Sequence, residues 1–247
     1  MKLLSGGAAV IERAELTEIE GTRSYRVPIS RAMGARDIAQ AVSGYSEGVS
    51  PARRNPIGEE VLYVTRGKGV CYIDGHSYAL SEGDGVYIPP RSVYQVENRG
   101  LVELEIVSVC CPEDDAEVGI GSSFRAPQDT KPFRVVSESN QPAIPVADRT
   151  FKLLVNQDLG AQRVTQFVGV IPPGRAPMHY HTYEEAMYIM EGQGRVWTDE
   201  RDASFTAGAS IYLPRGVRHS VENTGQSNIR LLGVFHPSGS PAAAYDD

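Results

Sequence analysis

Short runs of alternating apolar and polar residues fill most of the chain, and turn-forming residues separate them. In the C-terminal half, the pattern predicts strands over residues 162–171, 178–190, 194–198, 210–213, 218–222 and 229–235. Glycine, proline and asparagine clusters between these runs mark turns. Apolar positions at helical spacing are scarce. Many short strands at regular spacing are typical of a sandwich or barrel, so we predict an all-β fold.

The same pattern occurs twice along the chain. Residues 60–112 return as residues 185–237 at a constant offset of 125 positions without a gap. The matched pairs are turn and strand-end residues, namely Glu60 and Glu185, Gly67 and Gly192, Gly69 and Gly194, Gly83 and Gly208, Pro89 and Pro214, Asn98 and Asn223, and Pro112 and Pro237. Such a match indicates a duplicated domain.

The repeat suggests a division of the chain into three parts. We predict an N-terminal domain over residues 1–112, a linker over 113–148 and a C-terminal domain over 149–247. The linker is rich in Pro, Asp, Ser, Gly and Asn, and it contains one further predicted strand at 133–136. Residues 31–41 are expected to form a short helix or an irregular piece.

Charge and composition narrow the class of partner. The 247-residue chain has a formal net charge of −7 and a pI of about 5.3. An acidic surface argues against nucleic-acid and anionic-membrane partners. No stretch approaches the roughly 20 apolar residues of a membrane span, and the N-terminus lacks the apolar run of a signal peptide. We therefore expect a cytoplasmic protein. Its three cysteines, two of them adjacent, do not favour a disulfide framework.

Four residues in two short segments carry the candidate chemistry. The chain has five histidines, and three of them, His179, His181 and His219, fall in these segments. Residues 179, 181 and 185 would share one face of a regular strand. Imidazole nitrogen and carboxylate oxygen are ligands that first-row divalent metals accept. We predict that His179, His181, Glu185 and His219 hold one divalent transition metal (Fe, Mn, Ni or Zn).

Strand phase also assigns roles to the neighbours of these residues. Glu185 is the candidate catalytic residue, because a carboxylate beside the metal can share proton transfer. Glu184 is out of phase and is expected to face solvent or form a salt bridge. Met187 and Ile189 are in phase and are expected to form an apolar wall. Tyr183 is also in phase, and a pocket-facing role and a packing role are both open.

The two segments resemble the paired signature of the cupin superfamily. The first signature, G(X)5HXH(X)3-4E(X)6G, is matched by Gly174, His179, His181, Glu185 and Gly192, with four residues before the first histidine instead of five. The second signature, G(X)5PXG(X)2H(X)3N, is matched without departure by Gly208, Pro214, Gly216, His219 and Asn223.

The resemblance implies a fold, a ligand set and an assembly. It implies a bicupin, in which two tandem cupin domains each form a jelly-roll barrel, also described as a double-stranded β-helix. In metal-binding cupins, the residues at the matched positions ligate one metal inside the barrel. Duplicated cupins often pair further, so the resemblance also implies a homodimer.

The N-terminal copy lacks most of these groups. At the 125-residue offset, the four positions are occupied, in order, by Arg54, Pro56, Glu60 and Tyr94. One carboxylate cannot hold a divalent metal by itself, so we expect no metal in this half. We interpret it as a structural domain. The alternative is a metal-free pocket in which Arg53 or Arg54 meets an anion, unless Glu60 pairs with Arg54.

Three functional hypotheses are compatible with the sequence. The favoured one is a metal-dependent oxygenase of the dioxygenase type that acts on a small polar organic substrate. The second is a non-redox isomerase, lyase or hydrolase of a small acid or sugar, because small bicupins also resemble the ureidoglycine aminohydrolases. The third is a small-molecule binding module without turnover.

Overall fold

The structure is a computed structural model that describes residues 1–112, 117–119 and 131–242. Its regular secondary structure is almost entirely strand, which confirms the predicted all-β class. Part of the predicted linker, at 113–116 and 120–130, lies outside the described residues. None of the described helices is long and apolar enough to cross a bilayer. The three cysteines are free thiols.

The first fourteen strands precede or open the linker. They are β1 (Lys2–Leu3), β2 (Ala9–Ile11), β3 (Glu18–Glu20), β4 (Arg23–Ile29), β5 (Ala39–Tyr45), β6 (Gly48–Val49), β7 (Ala52–Arg54), β8 (Glu59–Arg66), β9 (Lys68–Ile73), β10 (His76–Ser81), β11 (Asp84–Ile88), β12 (Val93–Asn98), β13 (Leu104–Cys111) and β14 (Glu117–Gly119).

The remaining strands follow from the end of the linker. They are β15 (Val135–Ser137), β16 (Ile144–Val146), β17 (Arg149–Val155), β18 (Thr165–Ile171), β19 (Gly174–Arg175), β20 (Glu184–Glu191), β21 (Gln193–Thr198), β22 (Asp202–Thr206), β23 (Ser210–Leu213), β24 (His219–Asn223) and β25 (Ile229–His236). Four short 3-10 helices lie at Ser5–Gly7, Arg31–Met33, Glu138–Asn140 and Gln157–Leu159.

Each half forms a barrel from a large and a small antiparallel sheet. The large sheet of the N-terminal barrel has the order β15-β11-β8-β13-β5-β4-β3, and that of the C-terminal barrel has the order β1-β2-β23-β20-β25-β18-β17-β16. The small sheets are β10-β9-β12-β7-β14, with β6 beside β12, and β19-β24-β21-β22. Two barrels of this kind are the arrangement that the sequence predicted.

Each half contributes a strand to the other half's barrel. Strand β2, near the N-terminus, pairs with β23 of the C-terminal barrel. Strand β15, from the end of the predicted linker, pairs with β11 of the N-terminal barrel. It falls close to the strand predicted at 133–136. Strand β2 thus lies within the predicted N-terminal domain but joins the C-terminal barrel, and β15 lies within the predicted linker but joins the N-terminal barrel.

Apolar side chains form three cores, one inside each barrel and one between the two large sheets. Alternation along β20 separates two of them. Met187 and Ile189 are buried inside the C-terminal barrel, as expected, whereas Ala186 belongs to the core between the barrels. Both faces of the central strands of the large sheets, such as β8 and β20, are therefore buried. This explains why these strands have few polar positions.

The core between the barrels also contains two buried carboxylates, and one of them corrects a prediction. Glu184 does not face solvent. Its two carboxylate oxygens accept hydrogen bonds from the backbone N–H groups of Arg36 and Asp37 in the other half, each at 2.8 Å. The hydroxyl of Tyr212 donates to the same carboxylate. Strand phase correctly placed Glu184 away from the barrel interior, but that face is covered by the other barrel.

The duplicate residue, Glu59, makes the reciprocal contact. Its oxygens accept hydrogen bonds from the backbone N–H groups of Gln162 and Arg163, each at 2.9 Å, and from the Tyr87 hydroxyl at 3.2 Å. Each barrel therefore holds the loop that follows a 3-10 helix of the opposite half. The segment predicted over residues 31–41 is accordingly irregular, with one 3-10 turn at Arg31–Met33 and strand from Ala39.

Candidate metal centre

The first two histidines lie in an irregular segment, not in the long strand predicted over residues 178–190. Regular pairing in this region begins only at Glu184. His179 is instead held by an isolated antiparallel bridge to His219, with N–H···O distances of 3.0 and 2.8 Å. The strand-face argument for the spacing of 179, 181 and 185 was therefore wrong in its premise. A backbone bridge between the two motifs brings the histidines together.

The three imidazoles converge. Each histidine offers one ring nitrogen, and these three nitrogens all lie within 4.8 Å of one another. The ring centroids of His179 and His219 are 4.6 Å apart, and those of His181 and His219 are 5.0 Å apart. His181 is 8% exposed and His219 is 3% exposed. Three imidazole nitrogens at this separation form a group that could hold a metal ion.

Backbone carbonyls orient two of these rings. The Nδ1 atom of His179 lies 3.0 Å from the carbonyl oxygen of Pro177, and that of His219 lies 2.8 Å from the carbonyl oxygen of Val217. A carbonyl can only accept a hydrogen bond, so Nδ1 carries the proton and Nε2 keeps its lone pair. This is the arrangement that metal-binding histidines use. Burial also lowers the pKa of His219 to about 3, which keeps the ring neutral.

Glu185 lies in the same cavity but outside the close set of three histidines. It is 4% exposed, and burial raises the pKa of its carboxyl group to about 8. An ionised carboxylate in such a place requires a compensating cation. Three neutral imidazoles and one buried carboxylate fit a divalent metal, because the ion would supply the missing positive charge.

The cavity that these residues face is small and mostly apolar. Its volume is about 220 Å³, and its walls include Phe151, Phe167, Met187, Leu213 and Leu231. Tyr183 also lines it, which answers the question that the sequence left open. Its ring stacks on that of His181, with centroids 4.5 Å apart and an interplanar angle of 11°.

The equivalent positions in the N-terminal barrel differ from those that the sequence assigned. Arg53 pairs with Tyr94 across β7 and β12, as His179 pairs with His219. The counterpart of His179 is therefore Arg53 and not Arg54. The offset is 126 residues up to His181 and 125 residues from Glu185 onwards, because four residues separate Asn55 from Glu60 but three separate His181 from Glu185. Asn55 is thus the counterpart of His181, in place of Pro56.

These corrected positions are joined by hydrogen bonds. Glu60 accepts from the Asn55 amide at 2.6 Å and from the Tyr94 hydroxyl at 2.8 Å. Arg53 in turn hydrogen-bonds to Tyr94. Sequence reasoning suggested Arg54 as the partner of Glu60, and the donors that the structure shows at this carboxylate are Asn55 and Tyr94. In the N-terminal barrel, side-chain hydrogen bonds thus occupy the carboxylate whose counterpart, Glu185, lies beside the three histidines.

Fold and site together define a duplicated double-stranded β-helix protein with a three-histidine group in its C-terminal barrel. The sequence matches the family described as Cupin domain over residues 46–110 and 167–235, which together cover more than half of the chain. The chain belongs to the cupin family, and its two domains make it a bicupin.

Comparison with known proteins gives relatives of several kinds. Protein SchB of Streptomyces halstedii is 37% identical over 86 residues, which cover 34% of this chain and 61% of that protein. An oxalate-binding protein of Thermotoga maritima is 34% identical over 67 residues, which cover 26% of this chain and 55% of that protein. The chain thus matches less than two thirds of either relative's length.

A solved structure shares the complete architecture. A deletion mutant of Bacillus subtilis oxalate decarboxylase superposes with a TM-score of 0.78 over 96% of this chain and 78% of that chain. The sequences are 15% identical, so the likeness shows the bicupin fold alone.

Proposed function

We propose that the chain is a metal-dependent enzyme that acts on a small organic substrate in its C-terminal barrel. His179, His181, Glu185 and His219 would hold one divalent transition metal. The observation that carries this proposal is the convergence of three buried or half-buried imidazoles beside a buried carboxylate in a single cavity. No comparable constellation exists among the described residues of the N-terminal barrel, where Glu60 accepts side-chain hydrogen bonds.

We propose further that the reaction is an oxygenation. A divalent metal at this site would supply a Lewis acid and, in the case of iron, a centre for dioxygen chemistry. Apart from the four proposed ligands and Arg149, the described cavity-lining residues with hydroxyl or titratable side chains are Asp148, Thr150 and Tyr183. A hydrolase or isomerase needs placed proton donors and acceptors, and few are present. The apolar walls would exclude water and admit an apolar substrate body.

A reconstitution experiment tests both statements. The metal-free protein is loaded with Fe(II) or Mn(II), and a panel of small enols, catechols and keto acids is screened with and without oxygen. We expect stoichiometric binding of one metal and substrate-dependent oxygen uptake by the Fe(II) form. Turnover by the Mn(II) protein under anaerobic conditions would contradict the oxygenase assignment but retain the enzyme. Absence of tight metal binding would refute the site.

Two observations favour other functions. The solved structure with the same fold is named an oxalate decarboxylase, and a decarboxylation would belong to the non-redox lyase alternative. The oxalate-binding protein that shares sequence is named for binding, which favours a module without turnover. Anaerobic product formation supports the first alternative, whereas ligand binding without product under either atmosphere supports the second. Homodimerisation and a cytoplasmic location remain predictions.

A further inference from the structure

Arg149 is a partly buried cation at the cavity, with a side chain 22% exposed, and its hydrogen-bonding capacity is only partly used. Among the described cavity-lining residues, it is the only permanently charged base. One terminal nitrogen donates to the carbonyl oxygen of Val221 at 2.8 Å, but the buried Nε–H has no hydrogen-bond partner among the described residues. The carboxylate of Asp148 lies 3.7 Å from Nε and is 61% exposed, so it compensates the charge weakly.

The other barrel contains a counterpart of this arginine. In the N-terminal barrel, Glu20 and Arg23 face each other across the β3–β4 hairpin. In the C-terminal barrel, Val146 and Arg149 occupy the same register of the β16–β17 hairpin. Arg23 and Arg149 are 126 residues apart, which is the offset that holds for this part of the duplication. The two arginines therefore occupy one structural position.

The counterpart has partners that Arg149 lacks. The Nε–H of Arg23 donates to the Ser43 hydroxyl at 2.9 Å, and a terminal nitrogen lies 3.5 Å from a carboxylate oxygen of Glu20. The same oxygen of Glu20 also accepts a hydrogen bond from a terminal nitrogen of a second arginine, Arg53, at 3.0 Å. At the positions of Ser43 and Glu20, the C-terminal barrel has Gly169 and Val146. The side-chain acceptors are therefore missing only in the barrel that contains the histidines.

Arg149 is also close to the histidines. Its hydrogen bond to the Val221 carbonyl anchors it to β24, two residues beyond His219, and its charge acts on the His219 ring. A ligand atom at the three imidazoles and another at Arg149 would thus lie within one cavity of about 220 Å³. The space between them is bordered by aromatic and aliphatic side chains such as Phe151, Phe167 and Leu231.

We propose that Arg149 binds the carboxylate of the molecule that enters the C-terminal cavity, and that this molecule is a small carboxylic acid with an apolar body. Glu20 shows in the other barrel which kind of group the position accepts. Guanidinium pairs with carboxylate through charge-assisted hydrogen bonds, and the apolar walls would take the remainder of the molecule. The inference deepens the proposed function by naming its substrate class, and it rests on that function for the use of the cavity.

Calorimetry with acids and their amides tests the inference. The full-length protein is loaded with Zn(II), which prevents redox turnover, and titrated with isobutyrate, benzoate and phenylacetate, and with the corresponding amides. We expect at least one acid to bind more tightly than its amide. Arg149→Met should weaken the binding of that acid by about tenfold or more, which is the range for a lost charged hydrogen bond. The affinity for the amide should stay unchanged. Arg99→Met, an exposed arginine of the N-terminal barrel, is the charge-matched control.

A second variant keeps Arg149 in place. Val146→Glu would place a carboxylate beside Arg149, as Glu20 lies beside Arg23 in the other barrel. This variant should therefore bind the acid more weakly, whereas Val146→Gln should bind it as the original protein does. Thermal unfolding checks that each variant is folded. The inference is overturned if every acid and its amide bind equally, or if the acid binds Arg149→Met as tightly as the original protein. Arg149-dependent binding without any turnover would refute the proposed enzyme and retain this inference.

Discussion

At the scale of single residues, the two barrels differ in side-chain chemistry at equivalent positions, because the three histidines of one barrel correspond to Arg53, Asn55 and Tyr94 of the other. The residue types and the two signatures were enough to identify His179, His181 and His219 from the sequence, because the chain has few histidines and the repeat is clear. The counterparts were misassigned by one position because a fixed offset ignores the extra residue before Glu60. Asn55, which donates a hydrogen bond to that carboxylate, was therefore missed. A separate alignment of each glycine-bounded segment would have found it, since Gly48 and Gly174 pair with equivalent asparagines.

Replacing one histidine tests the proposed ligand set. His179→Ala and His219→Ala should each lose most of the bound metal, because each removes an imidazole from the group of three. Arg54→Ala is the control, since Arg54 is exposed and lies in the other barrel. Metal content is measured by elemental analysis after dialysis against a trace of chelator. Full metal content in His219→Ala, or loss of metal in Arg54→Ala, would contradict the site.

At the scale of strands and loops, the sequence predicted which face a residue lies on but not what covers that face. Period-two alternation separates Glu184 from Glu185 correctly. An isolated sheet would expose Glu184 to water, whereas here the second barrel covers it. The reciprocal contacts of Glu59 and Glu184 depend on backbone N–H groups more than 100 positions away in sequence. Such donors leave no residue-type signal, because every residue except proline has one.

Removing one of these carboxylates should weaken the junction between the barrels. In Glu184→Gln, the amide oxygen can accept only one of the two backbone N–H groups well, and its NH₂ group faces the other. We expect a loss of about 2–4 kcal/mol in the free energy of unfolding, since a buried donor is left unsatisfied and a charged hydrogen bond is lost. Urea denaturation measures the change. Glu200→Gln, at an exposed position, should be within about 0.5 kcal/mol of the original protein.

An unchanged urea midpoint in Glu184→Gln would show that the contact contributes nothing. The same substitution at Glu59 provides an internal repeat, because its geometry is equivalent. The two variants should be destabilised to a similar extent.

At the scale of the whole molecule, the duplication was predictable but the exchange of strands between halves was not. The offset is visible because turn residues return at fixed positions. Strands β2 and β15 come from segments outside the ungapped repeat, so nothing in their sequence indicates which barrel they join. In the structure, each completes the large sheet of the opposite half, and a common apolar core lies between those sheets. The barrels are therefore parts of a single folding unit.

A single folding unit should unfold in one step, and metal should protect all of it. Trp197, the only tryptophan, lies in the C-terminal barrel, so its fluorescence reports on that half, whereas far-ultraviolet circular dichroism reports on both. We expect both signals to change at the same urea concentration, with and without metal. Metal at 100 times its dissociation constant should add about 2.7 kcal/mol to the free energy of unfolding. If metal raises the urea midpoint of the fluorescence change, but part of the dichroism change keeps its metal-free midpoint, the barrels unfold independently. The exchanged strands and the reciprocal carboxylates would then not couple the metal site to the N-terminal barrel.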